Sequence, residues 1–310
     1  MTKITILGIY VVDVAFFAPR LPRIGETILG DDFRAGPGGK GGNQAVAAAR
    51  AGGDVAFVTR VGDDDFGRQA RAPWAADGID TRFVTASDSA PTGAAFIFVD
   101  SATGDNAIIV SPGAARELTI EQVRPAIAAL AAGDVFMTQL EAPLPTVVAA
   151  LAEAKARGAT TILNPAPAAP LSDAVYRDCD LFTPNESEAA ALAGFPVDGP
   201  DAAARAAAVF LAKGVGAVAV TLGAAGVLLK TPATTVLVPG FAVAEVVDTT
   251  GAGDAFNGGL AAALAEGMPL EAAVRFGNAV GALSVTRRGA APAMPTRAEI
   301  DAMLATAPAR

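Results

Sequence analysis

Short apolar strands alternate with Ala-rich or amphipathic helices along most of this chain, and that alternation confines it to one fold class. Strand patterns fall at 4–9, 55–60, 135–138, 160–163, 181–183, 215–221 and 227–230. Helical patterns fall at 43–51, 120–131, 145–157, 201–213, 254–266 and 270–285. Strand–helix–strand units pack helices onto both faces of a sheet whose strands run in parallel. The expected architecture is α/β: a doubly wound, mainly parallel sheet flanked by helices. No internal repeat or low-complexity linker interrupts it, and Gly199-Pro200 and Gly240 mark loops. One domain over 1–310 is expected.

Two regions break the alternation. Residues 14–36 hold strand-like pieces at 14–17 and 26–34. Residues 91–110 hold two more, at 93–100 and 106–110, joined by a Thr103-Gly104-Asp105 turn. Four short strands outside a parallel sheet predict a small extra sheet, a lid. Such a sheet has open edges, which proteins manage by pairing or covering. A homodimer formed through the lids is therefore expected; two ordinary surface hairpins are the plainer reading.

Composition removes whole classes of chemistry. The 310 residues contain no histidine and a single cysteine, Cys179. Ser-His-Asp and Cys-His catalysis and His-ligated zinc are excluded, and proton transfer falls to Asp, Glu, Lys or Tyr. No internal disulfide can form, and a lone cysteine reads as a small buried hydrophobe. The net charge of −9 argues against general nucleic-acid binding. There is no uninterrupted apolar run of about 18 residues, so no membrane span is expected. The N-terminal Met1-Thr2-Lys3-Ile4-Thr5-Ile6-Leu7-Gly8 reads as a strand and not as a signal peptide, which predicts a cytoplasmic enzyme.

The segment Asp248-Thr249-Thr250-Gly251-Ala252-Gly253-Asp254-Ala255-Phe256 sets a carboxylate behind a Gly-Ala-Gly turn at a helix start. Unpaired amides and the partial positive charge of a helix N-terminus cradle anions, and glycine lets a ligand come close. An anion cradle beside a carboxylate base is what phosphoryl transfer to a hydroxyl needs. The local alternative is a structural helix cap, since Asp is a common N-cap.

Gly36-Pro37-Gly38-Gly39-Lys40-Gly41-Gly42-Asn43-Gln44 precedes another helix. It contains a formal G-x-G-x-x-G, but that fingerprint belongs in the first strand-to-helix turn. It is no Walker A loop either, because Gly41 follows Lys40. It predicts a flat glycine floor for a polyhydroxyl ligand, with Lys40 and Asn43 supplying hydrogen bonds; a structural turn is the alternative. Thr221-Leu222-Gly223-Ala224-Ala225-Gly226 joins two strands, as a hairpin turn or as a phosphate-facing loop. In Thr183-Pro184-Asn185-Glu186-Ser187-Glu188, Asn185 and Glu188 either box a helix start or orient the waters of a phosphate-bound Mg²⁺. Glu141 and Asp13 sit just past apolar strands, where open α/β sheets carry ligands.

Together these motifs resemble the ribokinase-like (phosphofructokinase-B type) family of carbohydrate kinases over essentially the whole length, and the ribokinase branch most closely. The carriers are Gly38-Gly39-Lys40-Gly41-Gly42-Asn43-Gln44 and Asp248-Thr249-Thr250-Gly251-Ala252-Gly253-Asp254. Between them lie Gln139-Leu140-Glu141, Leu163-Asn164-Pro165-Ala166-Pro167, Thr183-Pro184-Asn185-Glu186 and Thr221-Leu222-Gly223. The resemblance implies ATP-dependent conversion of D-ribose to ribose 5-phosphate, with Mg²⁺. It implies Asp254 as the base and Gly251, Ala252 and Gly253 as the anion hole. Asp13, Gly39, Lys40, Asn43 and Glu141 would hold the sugar. Asn185, Thr221, Gly223, Gly226 and Asn278 would line the ATP site, with Glu188 reaching Mg²⁺ through water. It also implies a K⁺ activator site at Asp248, Thr250, Ser284, Arg287, Gly289 and Ala293, partly through backbone carbonyls.

One departure bears on the acceptor. The family's Asn-x-Asp is Val11-Val12-Asp13 here. Residues 11 and 13 of an extended segment point the same way, so a methyl surface replaces an amide. Losing one neutral hydrogen bond, worth roughly 0.5–1.5 kcal/mol, weakens ribose binding or marks an acceptor lacking that hydroxyl. Another pentose, a ketohexose derivative or a nucleoside stays open, as does a non-catalytic binding protein on the same fold.

Overall fold

The computed structural model describes residues 2–306. Met1, the first residue of the expected N-terminal strand, lies outside the described residues. The chain begins with β1 (Lys3–Leu7), β2 (Val11–Ala18), β3 (Asp32–Gly38) and α1 (Lys40–Arg50). It continues through β4 (Asp54–Gly62), α2 (Asp65–Ala76), β5 (Val84–Ser87), β6 (Thr92–Asp100) and β7 (Asn106–Gly113). Next come α3 (Ile120–Ala128), β8 (Val135–Thr138), α4 (Leu144–Ala156), β9 (Thr160–Leu163), α5 (Asp173–Arg177) and β10 (Leu181–Phe182). The last part holds α6 (Glu186–Ala193), α7 (Pro200–Ala212), β11 (Ala217–Thr221), β12 (Val227–Lys230) and β13 (Thr235–Val238). It closes with α8 (Ala252–Ala265), α9 (Leu270–Ser284) and α10 (Arg297–Thr306).

Nine strands form one sheet in the order β13-β12-β11-β10-β9-β8-β1-β4-β5. The strands from β11 to β5 are parallel; β12 and β13 extend the sheet as antiparallel neighbours. Parallel central strands are covered on both faces and so read as continuous apolar runs: Val135-Phe136-Met137-Thr138 is buried throughout. One core cluster packs α1, α8 and α9 on one face, and a second packs α3, α4 and α7 on the other. Among the described residues no helix is long and apolar enough to cross a membrane.

The remaining strands form the expected small sheet, in the order β3-β2-β6-β7. One expectation is corrected: the strand placed at 26–34 is found at Asp32–Gly38, so the chain before it is not strand. The register puts Gly38 opposite Val11 and Gly36 opposite Asp13, so the glycine run itself supplies the strand.

Small residues set the position of α1. A Cβ on Gly258 would lie 2.5 Å from Ala47 Cβ and 2.7 Å from the Gln44 carbonyl oxygen, so α1 and α8 touch backbone to backbone. That contact brings the start of α1 beside the start of α8.

Candidate active site

Asp254 is the third residue of α8, not its cap; Gly251 takes the cap position with φ 76°. The first bond inside the helix runs from Ala255 N to Gly251 O (2.8 Å), leaving the amides of Gly253 and Asp254 at the open helix end. The Ala252 amide turns back to Thr249 O at 3.2 Å. A Cβ on Gly253 would meet no atom within 4 Å, whereas one on Gly251 would lie 2.7 Å from Ala290 Cβ. Packing thus demands Gly251, while Gly253 keeps the helix end open.

The Asp254 carboxylate is buried, at 5% exposure, and points at α1. Its Oδ2 accepts from Asn43 Nδ2 (2.9 Å) and its Oδ1 from Gln44 Nε2 (3.0 Å). Asn43 Oδ1 is buried and has no partner among the described residues. A buried acceptor without a donor is costly, and a ligand hydroxyl would satisfy it. Glu141, in the loop after β8, accepts from Lys40 N at 2.9 Å, at the N-terminus of α1. Asp254 first, then Glu141 and Glu188, raise the ammonium pKa of Lys40 against its burial. Burial, with the charge of Asp254 second, pushes Asp13 up to about 6. Burial likewise pushes Glu141 up to about 7, against the opposing pull of Lys40. A neighbouring carboxylate adds to the effect of burial in this way.

The glycine floor needs correcting. Gly41 and Gly42 are buried inside α1. A Cβ on Gly41 would sit 2.6 Å from Gly8 Cα, and one on Gly39 2.7 Å from Ile9 O. Gly39 and Gly41 let α1 press on the end of β1, and the buried Gly41 and Gly42 form no open shelf, whereas Gly36 and Gly39 remain partly exposed. Gly38 makes room for Asp13, whose carboxylate lies where its Cβ would be.

On the other side of the Gly251–Asp254 turn lies a cavity of about 280 Å³ lined by Thr221, Gly223, Gly226, Thr249, Ala252, Gly253 and Asn278. Its remaining wall is largely apolar, including Phe241, Val243, Val246 and Val285. Sequence reasoning missed this wall because any apolar residue can build one. Asn278 Nδ2 is bonded to Val238 O (3.1 Å) and Pro239 O (3.2 Å). Gly226 is required by packing, since its Cβ would lie 2.2 Å from Val238 O; Gly223 faces open space. Gly223–Ala225 is a 3-10 turn between antiparallel β11 and β12, so the hairpin reading holds while the turn also borders the cavity. Asn185 bridges to Thr221 and caps α6. The box is complete: Asn185 Oδ1 accepts from Glu188 N (2.8 Å), and Glu188 accepts from Asn185 N (2.9 Å) and Nδ2 (3.0 Å).

No group of three or more His, Cys, Asp or Glu that could hold a metal occurs among the described residues. Mg²⁺ usually keeps several waters and leans on substrate phosphates. Each Glu188 oxygen retains a lone pair beyond the cap, which fits a water-mediated role. Around the expected cation site, Asp248 accepts from Thr250 N and Gly289 N, both at 2.9 Å. Burial pushes the Asp248 carboxyl up, but these amides outweigh it and hold it below its ordinary range. Asp248 thereby ties the loop before α8 to the loop after α9. Ser284 Oγ donates to Gly281 O, Arg287 pairs with Glu299, and Ala293 lies in a buried turn. An all-oxygen set of carboxylate, hydroxyl and carbonyl groups suits a hard monovalent cation.

Three amides received no role from the sequence. Gln44 also donates to Asn164 Oδ1 (3.2 Å), Gln139 Nε2 donates to Gln44 Oε1, and Asn164 Nδ2 donates to Thr183 O (2.9 Å). The signal was their place within the motifs that carry the resemblance: Gln139 and Asn164 just past β8 and β9, and Gln44 in the first turns of α1.

A model of the pfkB family of carbohydrate kinases matches residues 1–297. The chain is 42% identical over 296 residues to the ribokinase of Haemophilus influenzae, covering 96% of each. It is 38% identical over 294 residues to the deoxyribokinase of Salmonella typhimurium, covering 94% of this chain and 95% of that one. The structure of Arabidopsis thaliana ribokinase complexed with ribose and ATP superposes with a TM-score of 0.90 at 30% identity, covering 99% of both chains.

Proposed function

The chain belongs to the pfkB family of carbohydrate kinases, and from that premise we propose that it transfers the γ-phosphoryl group of ATP to the 5-hydroxyl of D-ribose. The observation that carries the reading is the Asp254 carboxylate, held by Asn43 and Gln44 beside an open helix end that borders the cavity. In this reading ATP lies in that cavity, with its terminal phosphate toward the Gly253 and Asp254 amides. The sugar lies between Asp13, Asn43 and Glu141, under the face of the lid that carries Asp13. The acceptor oxygen gives its proton to Asp254 as it bonds to phosphorus, and the β–γ bridging oxygen leaves with the bonding pair. Because the transition state is loose, alignment and the amides supply most of the acceleration. Lys40, placed among Asp254, Glu141 and Glu188, adds positive charge near the transferred group. Mg²⁺, reached through waters at Glu188 and Asn185, would neutralise phosphate charge. K⁺ among Asp248, Thr250, Ser284 and the carbonyls of Arg287, Gly289 and Ala293 would brace the loop that ends in Gly251.

A second acceptor has a specific observation behind it. Val11 is only 2% exposed, on the same side of β2 as Asp13, and has no polar atom to offer a sugar hydroxyl. A site without a polar partner loses little when the substrate lacks the hydroxyl. The decisive measurement is ATP-dependent ADP release with Mg²⁺ and K⁺ across D-ribose, 2-deoxy-D-ribose, other pentoses, ketohexoses and adenosine. Selective turnover of ribose is expected. A preference of about tenfold or more for 2-deoxyribose, the size of one lost hydrogen bond, would move the assignment to the deoxy sugar. No turnover on the panel would move the weight to an untested acceptor or to a non-catalytic binding protein.

A further inference from the structure

Asp254 is held by amides that are themselves held. Its Oδ1 accepts from Gln44 Nε2 at 3.0 Å, and its Oδ2 from Asn43 Nδ2 at 2.9 Å. Gln44 is fully buried, at 0% exposure. It donates to Asn164 Oδ1 as well, and its own oxygen accepts from Gln139 Nε2. Asn164 donates to the Thr183 carbonyl. An ionised carboxylate and a backbone carbonyl can only accept, so both ends of this chain dictate the amide directions between them. Reversing Gln44 would set its oxygen against two acceptors.

The terminal torsion of an Asp side chain is soft, so the helix alone does not fix the rotation of the carboxylate. Resting on the kinase reading above, we propose that Gln44 is a positioning residue. It holds Asp254 in the rotation that presents one oxygen to the acceptor hydroxyl, and Gln139 and Asn164 fix Gln44 itself. Asn43 differs from Gln44 in having a buried acceptor without a partner. Gln44, with no exposed surface, reaches the reaction only through Asp254.

The test is Gln44→Glu, which keeps the side-chain shape and replaces the donor with an acceptor. A misplacement on the order of 1 Å costs about 100-fold in rate, so kcat is expected to fall by about that factor. The KM values for ATP and sugar should stay within about threefold, since neither contact with substrate is altered. A purely structural role would lower the melting temperature and leave kcat of the folded fraction intact. Gln139→Met, one step further from the carboxylate, serves if Gln44→Glu does not fold; it should lower kcat by about tenfold with the same KM pattern. An Asp254→Asn protein without turnover beside a Gln44→Glu or Gln139→Met protein of undiminished kcat would sink this proposal and leave the kinase reading standing. An unaltered chain that phosphorylates nothing would sink both.

Discussion

Asp13 and Glu141 carry the charge that the proposed sugar site can lose. Burial, and then Asp254, pushes Asp13 to about 6; burial pushes Glu141 to about 7 despite Lys40. A protonated carboxyl loses much of its capacity to accept sugar hydroxyls. The KM for the sugar is therefore expected to rise as pH falls from 8 to 5.5, more steeply than the KM for ATP. A sugar KM that stays flat over that window would remove both residues from acceptor binding. The effect on stability has the opposite sense. Both folded-state values lie above the ordinary 3.8 and 4.5, so between about pH 4 and 7 the native state binds more protons than the unfolded chain. Stability from these groups is full at the acid end and falls as pH rises through 6 and 7. Glu299, held low first by its hydrogen bond from Arg287, pulls the other way only below about pH 4.5. The melting temperature of the ligand-free protein should thus decline from pH 5 to pH 8. None of this was legible in the sequence, because the burial of Asp13 and Glu141 and the repulsion they feel from neighbouring carboxylates arise only once the fold brings distant segments together.

At the scale of elements, the turn into α8 separates two roles that the sequence read as one. Gly251 sits at φ 76° against Ala290, and Gly253 faces open space. Gly251→Ala would incur a left-handed backbone costing about 1–2 kcal/mol, plus a clash with Ala290. Its melting temperature should fall by several degrees. Gly253→Ala meets nothing in the protein and should keep or slightly raise stability. Its methyl would nonetheless crowd the open amides, so kcat should fall by about 100-fold, as when one donor of such a hole is lost. Thermal melts and initial rates on the two variants test the division; equal melting losses would refute it. The alternation of strands and helices was legible because parallel strands must be apolar throughout and their helices amphipathic. Edges were not: 26–34 reads as a strand-like piece, yet Asp32–Gly38 is the strand that pairs with β2. Glycine-rich residues gave no strand signal, and only the pairing partner supplied one. The amides around Asp254 were silent for a similar reason. A buried Gln or Asn acquires a role from the helix it faces, and the α1–α8 contact that creates it depends on Gly258 and Ala47.

At the scale of the molecule, the lid has two unlike faces. Alternation along β2 sends Val11 and Asp13 to one face and Phe16 to the other. On that outer face Phe16 packs against Phe33 and Phe96, with ring centroids 5.4 and 5.9 Å apart, and Ile109 pairs with Phe96 from β7. Phe33 is 57% exposed and Ile109 69% exposed. Within the exposed run Ile108-Ile109-Val110 of edge strand β7, Ile109 shares this outer face, while Ile108 and Val110 fall on the Asp13 face. A contiguous apolar patch beside an open edge is a liability in a monomer and marks an association surface. Two lids meeting through these faces would bury it by a symmetric contact, the commonest arrangement of oligomers. The outer faces would be covered and the Asp13 faces left toward the sugar. The chain is therefore expected to run at twice its 30.9 kDa mass in light scattering. Phe33→Asp with Ile109→Asp should return it to a monomer. Neither side chain lies on the Asp13 face, so a direct effect on acceptor contacts is not expected. A raised sugar KM in that monomer would mean that the pairing also holds the lid over the site. A monomeric unaltered chain at micromolar concentration would remove the dimer and leave the exposed aromatic face without a partner.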